Sequence, residues 1–284
     1  MALTPGEVTP EVARKTWRTL EPFHGLVYFA KEATAAYEAL GIMGFDGYFA
    51  SRAAPMGAVS APVVEATFFN FHPSVVRHSI PAAWDKATPA HVLEARHVGI
   101  DAALRRCAGP DMADSPEVAR AAELARIAAE SANVDGRTLA AAHKAMPWPD
   151  APHIALWHAI SILREHRGDG HIAMLVGSGI SGAEALVLHG ATGEVPSAAL
   201  QGSRQWPAVE WAAAVAALVD RGLVDEAGSF TDEGRQLRET IEGRTDVLAV
   251  QPWTALGAEA CEELRALVRP WSKAILASGS FGLR

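Results

Sequence analysis

Two cysteines, Cys107 and Cys261, are all that the 284 residues contain. That number can neither build a disulfide framework nor complete a cysteine-rich zinc site, so the chain fits a reducing compartment and is read as cytoplasmic. No run of about 18 apolar residues occurs, and MALTPGEVTPEVARKTW has no apolar stretch behind a basic start. Neither a membrane partner nor export is therefore expected. Basic residues are also scarce: 25 Lys and Arg against 33 Asp and Glu leave a formal net charge of -8. Nucleic-acid binders usually carry a basic domain or face, and nucleic acid is disfavoured as a partner. Absent as well are the P-loop, a G-x-G-x-x-G behind a strand, H-E-x-x-H and G-x-S-x-G. The glycine-rich GSGISG at 177–182 follows a helix-like segment and reads as a turn between helices.

What is present points to helices. The chain is 49% hydrophobic and 20% charged, and Ala, Leu, Glu and Arg are plentiful. Thr9-Pro10-Glu11 has the form of a helix start, and Leu40-Gly41 that of a helix end. Another helix is expected over about residues 89–106, with Val92, Leu93, Val98, Ile100 and Leu104 as core candidates. CAGPDMADSP breaks the pattern and Ser115-Pro116 restarts it. The MPWP run forbids helix continuation and sets a boundary between a helical domain, 1–148, and a second domain, 149–284. In that second half a helix covers 153–166, RGDG turns the chain, and HIAMLVGSG makes a second short helix. A further helix covers Gly182–Leu188, and a long one follows Pro207. VDEAGSFT reads as an acidic hairpin turning at Gly228, after which Thr231 or Asp232 caps the next helix. The fold expected is mainly α, a helical N-terminal domain followed by a degenerate winged helix with a small β wing.

The run AALVDRGLVDEAGSFTDEGRQLRETIEGRTD resembles the end of the winged helix in MarR-type regulators, through Leu218, Gly222, Leu223, Val224, Thr231, Gly234 and Arg238. More widely, the phrases LEPFHG, YF, FNF-P and LREHRGDGH resemble those of an actinobacterial helix-turn-helix-like family, over nearly the whole chain. The first resemblance implies a homodimer and a ligand-responsive, DNA-binding repressor. The residues depart from it. A recognition helix normally offers polar and basic groups to phosphates and base edges, whereas Pro207 to Val219 carries Glu210 as its single charge and reads as buried or facing a ligand. Asp225 and Glu226 stand where such wings are basic, and acidic groups repel phosphates.

Two clusters carry candidate chemistry. In LREHRGDGH, Gly168 can end a helix and Asp169 can cap the next one, which would place His171 in a first turn, where the positive helix end favours neutral imidazole. Glu165 and His171 are then candidates to move a proton, with Arg164 holding an anionic group; an exposed, charged turn explains Gly168 and Asp169 equally well. His158, seven residues before Glu165, shares its face. In the second cluster Tyr48 and Arg52 are four apart on one helix face and can hold a carboxylate or simply stack over the core. Phe71 and Trp211 are candidate pocket walls, and His72 stands before Pro73 in FFNFHP. Glu21, Phe23, His24, Tyr28 and Phe29 mix polar and apolar groups too closely for an ordinary surface helix.

Three readings follow. The first is a small-molecule pocket between the helical half and the winged helix, capable of cofactor-independent general acid and base work. The second is the MarR-type regulator, and the third a haem or metal protein using His72.

Overall fold

The computed structural model describes residues 7–281, and most of them are helical. Helix α1 (Pro10–Gly25) starts where Thr9 Oγ1 accepts the Val12 amide at 3.3 Å and Pro10 occupies the first helical position. Thr88 and Ser115 start α7 (Pro89–Ala108) and α8 (Pro116–Ser131) in the same way. Between α1 and α7 lie five short helices: α2 (Lys31–Glu38), α3 (Phe45–Ala53), α4 (Ala61–Phe68), α5 (Pro73–Ser79) and α6 (Ala82–Lys86). After α9 (Thr138–Lys144) come α10 (Pro152–Gly177), α11 (Gly182–Gly190), α12 (Ser197–Arg204), α13 (Ala208–Asp220), α14 (Asp232–Leu248), α15 (Gln251–Leu256) and α16 (Ala258–Ala277). The long α10 is the axis of the molecule and packs against α1, α8, α9 and α14.

RGDG does not turn the chain; α10 runs through it unbroken for 26 residues. Its glycines serve close packing instead. A Cβ at Gly170 would fall 2.6 Å from Nη1 of Arg137, and in its absence the Arg137 side chain crosses α10 to donate to the carbonyls of His166 and, at 3.0 Å, Leu248. Asp169 caps a neighbour rather than a successor, accepting the Ala140 amide of α9 at 3.0 Å. Helix propensity at Gly170 is thus overridden by a contact from Arg137, about 30 positions earlier in the chain.

Two apolar cores form. The larger gathers side chains from Val8 to Ile275 and takes in the first half of α10 up to Leu163; the smaller begins at Leu175 and unites α11, α13, Leu223, Val224 and Ile241. The cores therefore part inside α10, not at the 148/149 boundary. Val92, Ile100 and Leu104 are buried as expected, but Val98 is 66% exposed. Among the described residues there is no sheet, and the expected wing reduces to one antiparallel bridge, Val224–Phe230. The connection closes at once: Asp225 Oδ1 accepts the amides of Ala227 and Ser229, at 3.0 and 2.9 Å, and Gly228 takes φ 77° at the tip. Nor is α13 buried. Only Ala214 and Leu218 are, while Val209, Glu210, Ala212, Ala213 and Ala216 face outward.

Two glycines set close approaches in the second core. A Cβ at Gly234 would lie 1.8 Å from the Leu223 carbonyl oxygen, and one at Gly182, at the start of α11, would lie 2.1 Å from the Phe69 carbonyl oxygen, just after α4. Gly243, on α14, has nothing within 4 Å. Overpacking against a backbone carbonyl costs about 1–3 kcal/mol or more, whereas an exposed helical Gly→Ala gains up to about 1 kcal/mol. Gly234→Ala and Gly182→Ala are expected to lower stability in urea unfolding, with Gly243→Ala neutral or stabilising. Equal effects at all three positions would refute the two contacts.

Candidate functional site

At the centre of the molecule lies Glu165, with no exposed surface. The Nε and Nη2 of Arg52, on α3, reach its two carboxylate oxygens at 3.3 and 3.1 Å, and Nη1 of Arg164 lies 3.1 Å from both. Burial opposes ionisation here, yet the guanidinium groups of Arg164 and Arg52 hold the carboxyl well below its usual range. The remaining Nη1 of Arg52 donates to the Tyr48 hydroxyl at 3.2 Å, four residues back on the same helix. Arg52 also lies over the Phe68 ring, 4.4 Å from its centre.

Beside this cluster the hydroxyl of Ser161 donates to the Trp157 carbonyl at 2.8 Å. It must then accept from Nδ1 of His24, 2.9 Å away, which leaves His24 Nε2 as the acceptor for the Tyr28 hydroxyl at 3.2 Å. His24 is neutral in this chain, its pKa pushed far down by burial and by Arg164, and burial lifts the Tyr28 phenol to about 12.

Of these groups Tyr28, Tyr48 and Arg164 reach a cleft of about 720 Å³, within the size range of small-molecule sites. Tyr28, Tyr48 and Phe71 line its interior with Glu21, Arg164, Ser203 and Arg204; Phe29, Phe45, Leu276 and Phe281 stand around it. Phe29 (55% exposed), Phe45 (41%) and Leu276 (47%) form an unusually apolar rim. Glu21 accepts from Trp17 Nε1 at 2.9 Å and stands 3.6 Å from Arg164; burial raises its carboxyl above the ordinary value. Arg204 closes α12 and so belongs to the unit of α11, α12 and α13 beside the smaller core, while every other polar side chain named here except its neighbour Ser203 comes from the main body around the larger core. The seam between the two carries further bonds. The His72 amide donates to the Arg204 carbonyl at 3.0 Å, and Trp206 Nε1 to the Asn70 carbonyl at 2.9 Å.

The structure unites Tyr48, Arg52, Arg164, Glu165 and Phe71 in one neighbourhood, although the first four were assigned to two separate clusters. It separates Glu165 from His171. His171 Nδ1 meets Thr245 Oγ1 at 3.0 Å and lies 3.9 Å from Glu242, both on α14, because six residues along an unbroken helix turn a side chain to another face. His158 is buried against the Trp148 ring, 4.9 Å between centres, and shares no contact with Glu165. His72 caps α5 through Nδ1 and meets Glu210 through Nε2 at 3.2 Å. Among the described residues no group of three or more His, Cys, Asp or Glu is placed to hold a metal ion. Trp211 packs at the edge of the smaller core. Sequence reasoning missed Arg204 altogether; Glu21 and Tyr28 stood out for their crowded polar and apolar surroundings but had no role assigned.

No single helix among the described residues is long and apolar enough to cross a membrane. The sequence profile described as a helix-turn-helix family matches residues 13–282, nearly the whole chain. No curated protein and no solved structure matches it.

Proposed function

Since the chain belongs to this helix-turn-helix family, we propose that it uses the scaffold to bind a small organic molecule in the cleft between the main body and the helix-turn-helix unit, and that contact with DNA is lost. The observation that carries this reading is the cleft itself, with an aromatic interior, an apolar rim and a few convergent polar groups at its floor. The outer face of α13 offers alanines, Val209 and Glu210 where a groove-reading helix needs basic and amide side chains. Arg221, at its end, is engaged with the carbonyls of Gly179 and Ser178 at 2.9 and 3.2 Å.

The test is saturable binding of a neutral aromatic dye, N-phenyl-1-naphthylamine, followed by fluorescence, beside fluorescence anisotropy with the DNA upstream of its own gene. The dye is expected to bind, and Phe29→Ala with Phe45→Ala to weaken it several-fold while leaving the fold intact, since both side chains are exposed. DNA affinity that falls steeply between about 50 and 200 mM salt would overturn the proposal in favour of a regulator. A second reading rests on Glu21: a carboxyl raised by burial and open to the cleft suits proton transfer to a bound molecule. It requires Glu21→Gln to abolish turnover of a substrate that still binds.

A further inference from the structure

The charges around the cleft do not balance. Arg52 and Arg164 share Glu165, and Arg164 reaches toward Glu21 as well. Among the described residues no carboxylate pairs with Arg204. Its Nη1 donates to Ser203 Oγ at 3.1 Å, its guanidinium lies 4.7 Å from the centre of the Phe71 ring, and its buried Nε has no partner. Burial works against its charge, Tyr48 favours it, and Arg52 and Arg164 add like-charge repulsion. A desolvated guanidinium without an anion is costly, and Arg204 lines the same cleft as Arg164.

We propose that the occupant of the cleft is an amphiphilic organic anion, with a carboxylate, sulfonate or phosphate held at Arg204 and Arg164 and an aromatic or otherwise apolar body running outward to the rim of Phe29, Phe45 and Leu276. This rests on the small-molecule reading above and adds the chemical class. The planar fork of Arg204 suits two oxygens of one anionic group, the stack on Phe71 fixes its plane, and the rim excludes water from the apolar end. An anion held by Arg164 and Arg204 ties α10 to α12, beside the His72–Arg204 backbone bond that joins the start of α5 to α12.

Two dyes that differ by one charged group test the proposal on the full-length protein. N-phenyl-1-naphthylamine is neutral, and 1-anilinonaphthalene-8-sulfonate is the same framework with a sulfonate. The sulfonate is expected to bind at least tenfold more tightly at moderate salt. Arg204→Gln should erase that advantage by weakening the sulfonate far more than the neutral dye, and Arg204→Lys should retain part of it. Circular dichroism establishes that the variants are folded. Equal affinity for the two dyes in the unaltered protein, or equal weakening of both by Arg204→Gln, overturns the anionic class and leaves the small-molecule reading standing. If neither dye binds saturably, the small-molecule reading falls and the anionic class with it.

Discussion

Glu165→Gln is expected to cost about 3–5 kcal/mol of folding stability, the range for removing one partner of a buried ion pair. The amide keeps the shape of the carboxylate, but only one of its two terminal atoms can accept, so the loss combines the missing charge with an N–H group set against arginine donors. Arg52, 8% exposed, would then have no anion, and Arg164 only Glu21 at 3.6 Å. A double variant separates charge pairing from packing. Arg52→Met with Glu165→Gln removes the more buried of the two arginines together with its partner and leaves Arg164 to Glu21, so it should recover part of the loss seen in the single variant. Urea unfolding at neutral pH reads both. A single-variant loss below about 1 kcal/mol, typical of an exposed ion pair, would show that Glu165 is not the anchor of this cluster. The same substitution should also loosen the cleft, since Arg52 holds the Tyr48 hydroxyl and Arg164 lines the floor.

The short-range half of this architecture was legible in the sequence. Thr9-Pro10, Ser115-Pro116 and Thr231 start helices because a side-chain oxygen three residues before a free amide satisfies it in any context. Tyr48 and Arg52 meet because four residues make a helical turn. The Gly222-Leu223-Val224 phrase also has a local cause: Gly222 takes φ 66°, and Thr231 Oγ1 donates to its carbonyl at 2.6 Å. What was not legible depends on partners distant in the chain. Gly168 and Gly170 read as helix breakers, and at Gly170 the Arg137 side chain lying across α10 gives the reason for the glycine. From that error followed the placing of His171 beside Glu165. Arg204 carries no local signal at all, since its importance lies in the lack of a counter-charge among residues from four separate helices.

The LREHRGDGH segment is dense in ionisable groups because α10 serves several neighbours at once. Arg164 turns toward α1, Glu165 toward α3, Asp169 toward α9, and Arg167 toward Glu242 and Asp246 of α14 at 3.1 and 3.0 Å. A solvated turn would need none of these partners. A central helix with polar groups on every side must pair each of them, and buried pairing of this kind fixes how the surrounding helices are arranged. The cleft inherits its geometry from that arrangement: its floor is the side of α10 that carries Arg164, and its far wall is the end of α12.

Mild acid is expected to unfold the protein. His143, His158 and His166 are 1%, 1% and 2% exposed, and burial pushes their pKa values down to about 4, 3 and 3. The folded state therefore keeps them neutral, while an unfolded chain protonates each near pH 6.5. Stability from a group whose folded pKa is depressed is complete above its unfolded value and lost as the pH falls toward the folded one. Between pH 6.5 and 5 the three groups together withdraw about 6 kcal/mol, at about 1.4 kcal/mol per unit and per group. Asp169 acts in the opposite direction. Burial raises its carboxyl to about 6, so its ionised form costs stability above that pH, and protonation between pH 6 and 5 returns about 1.4 kcal/mol. The net loss of about 5 kcal/mol is a large share of the 5–15 kcal/mol typical of a folded domain. His24 and His171, also lowered, add to the loss, and Glu21, raised by burial, acts as Asp169 does; ordinary carboxylates titrate below this window, and Glu165, held lower still, contributes nothing to it. Thermal unfolding at pH 7.5 and 5 should therefore show a steep fall in Tm. His158→Phe should flatten it, because Nε2 of His158 has no partner and its ring already lies against Trp148. Equal stability at the two pH values would mean that these imidazoles are open to protonation in the folded state, and the tightly packed polar interior on which the cleft rests would have to be abandoned.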